Sequence, residues 1–258
     1  MQATFSFTRL GLLIKKQWAE HARFYTLAAG AIAGLMAIVF VIWTRVDHPP
    51  VVVTYVILLV TMFLGGAIFA SMTFADLSQR TTGIYWLSVP ATHGEKLVCG
   101  ILFSQVLFSA VVLGMFFIIQ PIAVAMAHSP EPMHFRTDFA RAEFSSVVWN
   151  IATGYVAMQA LFILGSVYFQ RFAFIKTVVS TVLAAAVFAA FINYVVSPLM
   201  PEGMNMQSFS EAHVWKSGTE RIYKLPIWSS VGIRYGFQYM WVPVLWTATY
   251  FRLKEKEL

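Results

Sequence analysis

YTLAAGAIAGLMAIVFVIWT, the twenty residues from Tyr25 to Thr44, contains no charged side chain and no proline. As a helix rising 1.5 Å per residue it is about 30 Å long, the thickness of a bilayer's hydrocarbon core. Five more long apolar runs follow, at about Val51–Ala75, Val98–Ala127, Val147–Phe169, Ile175–Val196 and Val231–Phe251, with Lys176 and Arg234 near span ends, where they can snorkel. The expected fold is therefore an all-α integral membrane protein with six transmembrane helices, forming a single transmembrane domain over residues 1–258. The third run exceeds one crossing, so it should cross by Ile119 and then bend or end at Pro121. Pro243 falls inside the sixth run, where a kink is expected.

Composition agrees. Of the 258 residues, 59% are hydrophobic and only 12% charged, against about 25% charged in average proteins. Mean hydropathy is +0.69. Such a chain in water would expose large apolar patches and associate. A cytosolic enzyme, a nucleic-acid-binding protein and a disulfide-stapled secreted domain are all disfavoured, Cys99 being the only cysteine. The first apolar run follows a mixed amphipathic stretch with no small-residue cleavage site, so the N-terminus is expected to be retained.

The net charge of +6 is explained by orientation. With six crossings, one face holds Arg9, Lys15, Lys16, Arg23, Arg80, Lys96, Arg171, Lys176, Arg252, Lys254 and Lys256 against Glu20, Asp76, Glu95, Glu255 and Glu257; on the other face the signs balance. The basic face is expected to be cytoplasmic, with both termini on it. Trp43, Trp149 and Trp228 then fall at outer span ends, and Tyr25, Phe169 and Tyr250 at inner ends, where amphipathic rings settle.

The span interiors carry no ionisable residue, only groups such as Gln105, Gln120, Gln159 and Asn193. Ion-coupled carriers need charged ligands at mid-bilayer, so such a mechanism is disfavoured. No G-x-x-x-x-G-K-[ST] phosphate loop occurs, so the chain is not expected to be an enzyme, and no cofactor or metal site is expected. His128, Glu131 and His134 share an outer loop with two prolines and no helical spacing. Gly30 and Gly34 form a GxxxG face in the first run, suited to close packing within the bundle or against a second copy.

The segments outside the spans are more informative. Residues 5–23 read as an amphipathic interfacial (elbow) helix, with Leu10, Leu13, Ile14 and Trp18 on one stripe and Leu12 breaking it. The connection over 76–97 mixes Ile84, Tyr85, Trp86 and Leu87 with polar residues. Thr92 should cap a helix entering the third run, with Glu95 at the capping-box position.

The pattern Ser78, Gly83, Ile84, Leu87, Pro90, Ala91, Thr92, Glu95 and Lys96 after a second span resembles the membrane (permease) subunit of type-2 ATP-binding-cassette exporters. The tail Trp246-x-x-x-Tyr250-Phe251-Arg252-Leu253-Lys254-Glu255-Lys256 is similar too, and the layout matches over the whole chain. Thr92 stands where Ser is more common. The resemblance implies a permease of the bacterial inner membrane that pairs with a second copy or a related chain. It implies two cytoplasmic ATPase subunits holding ATP-Mg, with membrane lipid as surroundings and no nucleic acid. Residues 76–97 would be the coupling loop, with Gly83, Ile84, Tyr85, Trp86, Leu87, Pro90, Glu95 and Lys96 at the ATPase contact. The outer loop 197–230, with Trp215, Lys216, Glu220 and Arg221, would form short outer helices. The cargo would be hydrophobic or amphipathic. The competing reading is a non-transporting integral subunit of a respiratory, secretion or motility complex, its small-residue faces and aromatic loop serving assembly.

Overall fold

The computed structural model describes residues 5–45, 51–78, 80–126, 142–169, 171–196, 204–207, 211–216, 219–224 and 226–256. It divides into two compact units, Met1–Phe174 with Leu245–Leu258, and Ile175–Val244.

In the first unit, α1 (Phe7–Trp43) is one uninterrupted helix of 37 residues, about 55 Å long by its rise. No proline breaks it, so the expected separate interfacial helix is instead the opening turns of the first-span helix. Much of its apolar stripe packs on the protein, while Trp18 stays about half exposed. Leu10 is buried with Cys99 and Phe103, and Leu13 and Ile14 pack on the same cluster, while Leu12 faces out.

The second run comprises α2 (Val51–Val60), a π-helical turn (Thr61–Gly65) and α3 (Gly66–Met72). A short 3₁₀ turn (Ala75–Ser78) leads to α4 (Arg80–Ser88). The third run comprises α5 (His93–Ile101), a π-helical segment (Leu102–Leu107) and α6 (Phe108–Met126). Pro121 does not end α6, which continues to Met126. The fourth run is α7 (Ala142–Tyr168). Hydroxyls along these helices bond back to carbonyls one turn earlier, Ser71 to Ala67 and Ser104 to Gly100 among them, which satisfies them without water.

Two apolar cores sit at opposite ends of these helices. Met36, Phe40 and Trp43 from the end of α1 meet Ile57 of α2 and Phe116 and Ala123 of α6. Ala67, Ala70 and Phe74 from the end of the second run meet Leu97, Phe162, Ile163, Val167 and, from the tail, Leu253.

In the second unit, α8 (Ala173–Phe191) ends in a π-helical turn (Ile192–Val196). Val179, Val182, Leu183, Val187, Phe188 and Phe191 are all more than half or nearly half exposed, a surface stable in lipid and not in water. The expected outer helices over 197–230 are in large part a three-stranded antiparallel meander, β1 (Met204–Gln207), β2 (Glu211–Lys216) and β3 (Thr219–Lys224). The chain is thus helical but not purely α. Its register pairs Trp215 with Glu220 and Val214 with Arg221.

Among the described residues, five helices are long and apolar enough to cross a membrane: Phe7–Trp43, Val53–Met72, His93–Ala123, Val147–Tyr168 and Ala173–Val195. The sixth run forms no such helix. It is divided at Met240 into α9 (Ile227–Tyr239) and α10 (Trp241–Glu255). Pro243 lies in the first turn of α10, where its missing N–H leaves no intrahelical bond unmade. The chain has the make-up of a multi-pass membrane protein. His128, Glu131 and His134 lie outside the described residues.

Candidate functional site

The connection between the second and third runs is held at one end by Glu95. Thr92 and Glu95 form the expected capping box: the Glu95 N–H donates to Thr92 Oγ1 at 3.2 Å and the Thr92 N–H to Glu95 Oε2 at 2.8 Å. The other carboxylate oxygen accepts from the Ser6 N–H at 2.7 Å and from Arg9 Nε and Nη2 at 3.2 and 3.0 Å. Glu95 is fully buried while Arg9 is about one-third exposed. The start of α1 is therefore tied to the start of α5 by a carboxylate that accepts on both oxygens. Lys96 beside it is also buried, its ammonium 4.7 Å from the centre of the Trp86 ring, within cation–π range.

Trp86 anchors α4. Its ring meets Phe74 edge-on at 5.6 Å and packs on the core of Ala67, Leu97, Phe162 and Leu253. The next residues back along the helix point away: Tyr85 is 60% and Ile84 69% exposed. Tyr85 faces the polar side of α1, with Lys16 Nζ 4.5 Å from its ring centre and Glu20 Oε1 3.5 Å from its hydroxyl. His21 Nε2 stands 3.8 Å from Asp76 Oδ2 on the same side. Gly83 is buried, and a Cβ there would meet Asp76 O at 3.6 Å and Leu77 Cα at 3.8 Å, room for a methyl group but not for a long side chain. Pro90 is exposed. Leu87 lies on α4, its side chain outside those described.

Of the residues singled out from sequence, Gly83, Trp86, Glu95 and Lys96 thus build the base of the loop, and Ile84 and Tyr85 its outer face. Gly30 and Gly34 are elsewhere. Both are exposed on α1, and an added Cβ at either would meet nothing within 4 Å, so they take no part in packing within the unit.

Sequence reasoning missed two groups. Arg9 was read as a surface charge, and its tie to Glu95 spans 86 positions. Tyr155, in the fourth run, organises the polar interior: its hydroxyl accepts from Gln159 Nε2 at 2.8 Å and lies 3.1 Å from Ser109 Oγ, whose own proton goes to Gln105 O. Gln159 is fully buried and its Oε1 has no hydrogen-bond partner among the described residues. Gly66 makes room for this knot, since a Cβ there would lie 2.2 Å from Gln159 Nε2. The Ser109 hydroxyl and the π-helical segment holding Gln105 sit where the third run meets the second and fourth, and such segments re-aim side chains within a span.

Among the described residues, no group of three or more His, Cys, Asp or Glu could hold a metal ion. The chain matches no family model, and no curated protein or solved structure is significantly similar to it.

Proposed function

We propose that the chain is the permease subunit of an ATP-binding-cassette exporter of the type-2 kind, crossing the bacterial inner membrane six times with both termini cytoplasmic. It pairs with a second copy or a related chain, and two cytoplasmic ATPase subunits supply the energy. The observation that carries this reading is the build of α4. Trp86 and Gly83 fix the helix to the bundle while Ile84 and Tyr85, on the same helix, stand exposed. A rigidly seated apolar knob of this kind suits a groove on a partner and passes the partner's displacement on, because packed interfaces move as bodies. The Glu95 tie to Ser6 and Arg9 extends that movement to α1, so the first and third spans would shift together. The exported molecule would be hydrophobic or amphipathic, matching spans without ionisable interior groups.

The test is purification of the tagged chain from its native membrane in mild detergent, with identification of what co-elutes. An ATPase subunit in near-equal ratio is expected. Other membrane or periplasmic proteins with no ATPase would overturn the exporter reading and move the function to assembly.

A further inference from the structure

A shallow groove runs along one side of α1 where it meets the third run. Two neighbouring depressions have Trp18 and Leu107 in common. The first, of about 370 Å³, lies beside Gly11, Lys15 and Phe103, and the second, of about 120 Å³, beside Ala29 and Val112. Small residues open it: Gly11 and Ala29 leave space where larger side chains would close the helices together. Its walls are apolar except at one end, where Lys15 is the single charged lining residue. Lys15 is exposed and forms no ion pair among the described residues, whereas the neighbouring Lys16 is committed to Glu20 and the Tyr85 ring.

The chemistry changes along the groove in the same direction as the bilayer does. Lys15 and Trp18 belong to the polar stretch that precedes the uncharged run from Tyr25, the level at which basic and indole side chains meet headgroups. Ala29 and Val112 lie within the uncharged runs that begin at Tyr25 and Val98, the stretches suited to acyl chains. A ligand must therefore be anionic at one end, apolar for most of its length, and aligned with the membrane normal. We propose that this groove is a binding site for one anionic phospholipid, its phosphate at Lys15 and one acyl chain along Trp18, Leu107 and Ala29. The site rests on the groove and on membrane embedding, and does not depend on the exporter reading.

The probe is the full-length chain in vesicles of zwitterionic phospholipid containing a minor share of anionic phospholipid, with bromine on the acyl chains of one class or the other. Bromine quenches a nearby indole, and the contribution of Trp18 is the difference between the wild type and Trp18→Phe. Stronger quenching of Trp18 by the anionic class is expected. Lys15→Gln, a surface change, should lower that preference about fivefold, the effect of one basic residue at a lipid surface. Ala29→Phe should fill the groove and remove quenching by either class. Equal quenching by the two classes in the wild type would overturn the proposal, leaving ordinary annular lipid. A preference that survives Lys15→Gln would overturn the assignment of the phosphate. Thermal unfolding in detergent checks that each variant is folded, and Lys15→Gln keeps the test alive if Ala29→Phe is not.

Discussion

Glu95 shows how much one side chain can hold. Its carboxylate serves three donors from the start of α1 as well as the Thr92 N–H. Glu95→Gln replaces one acceptor oxygen with a donor, which then faces an N–H or a guanidinium. The expected cost is about 1–3 kcal/mol, the usual range for a buried donor or acceptor left unmatched. Arg9→Ala should cost less, about 1 kcal/mol, because Arg9 is partly in solvent and both backbone donors remain. Thermal unfolding in detergent checks the order, and a milder Glu95→Gln than Arg9→Ala would contradict it. The second residue of consequence is Gly66. Gly66→Ala places a methyl 2.2 Å from Gln159 Nε2 and 3.1 Å from Tyr155, an overpacking expected to cost about 1–3 kcal/mol. Gly30→Ala meets only open space and should not lower the stability of the single chain, since alanine suits a helix interior better than glycine. At this scale the sequence was legible where the physics is local. Thr92 and Glu95 are three positions apart, and the capping box follows from that spacing alone. Arg9 could not be assigned to Glu95, because only the tertiary fold brings positions 86 apart together.

At the scale of elements, α4 separates two roles that the loop's composition mixes. Trp86→Ala removes a ring packed against Phe74 and Lys96 and should destabilise the chain by about 2 kcal/mol or more. Ile84→Ser and Tyr85→Ala touch exposed positions and should shift stability by no more than about 0.5 kcal/mol. If the loop docks on an ATPase, those two changes should nevertheless uncouple hydrolysis from transport in the reconstituted complex. Retained coupling in both would remove α4 from the contact. Gly83→Leu should disturb the loop and Gly83→Ala should not, since only ordinary contact distances surround the added Cβ. The elements read least well were those where a resemblance or a change of pattern stood in for local signals. The amphipathic stretch and the first span differ in pattern, but no proline or cap separates them, and they form one helix. The meander was taken for helices, although Glu211–Lys216 and Thr219–Lys224 flank the two residues Ser217-Gly218, a hairpin signal in its own right.

Across the whole molecule, five helices long and apolar enough to cross a membrane are legible in the sequence and, among the described residues, in the structure, because length and hydropathy are enough to specify each. The sixth run is divided at Met240 into α9, of 13 residues, and α10, of 15. Neither piece spans the roughly 30 Å of hydrocarbon by itself, but the helical residues from Ile227 to Phe251 are together numerous enough for one crossing. A discontinuous helix can cross where neighbouring protein satisfies the break, and the basic tail of Arg252, Lys254 and Lys256 favours the cytoplasmic side. Six crossings are therefore the expected topology, and the tail decides between six and five. Cys99 is buried and is the only cysteine, so Cys99→Ala gives a background in which single cysteines report on access. In intact cells a membrane-impermeant maleimide should label His213→Cys, between the fifth and sixth runs, and should spare Ile84→Cys and Lys256→Cys until the membrane is opened. Labelling of Lys256→Cys in intact cells, alongside His213→Cys, would mean that α9 and α10 return to the side they left. The two termini would then lie on opposite faces. The C-terminal strip of α10, whose Leu253 closes the core against Phe162 and Leu97, would have to leave that core, so the same result would overturn the packing as well as the topology.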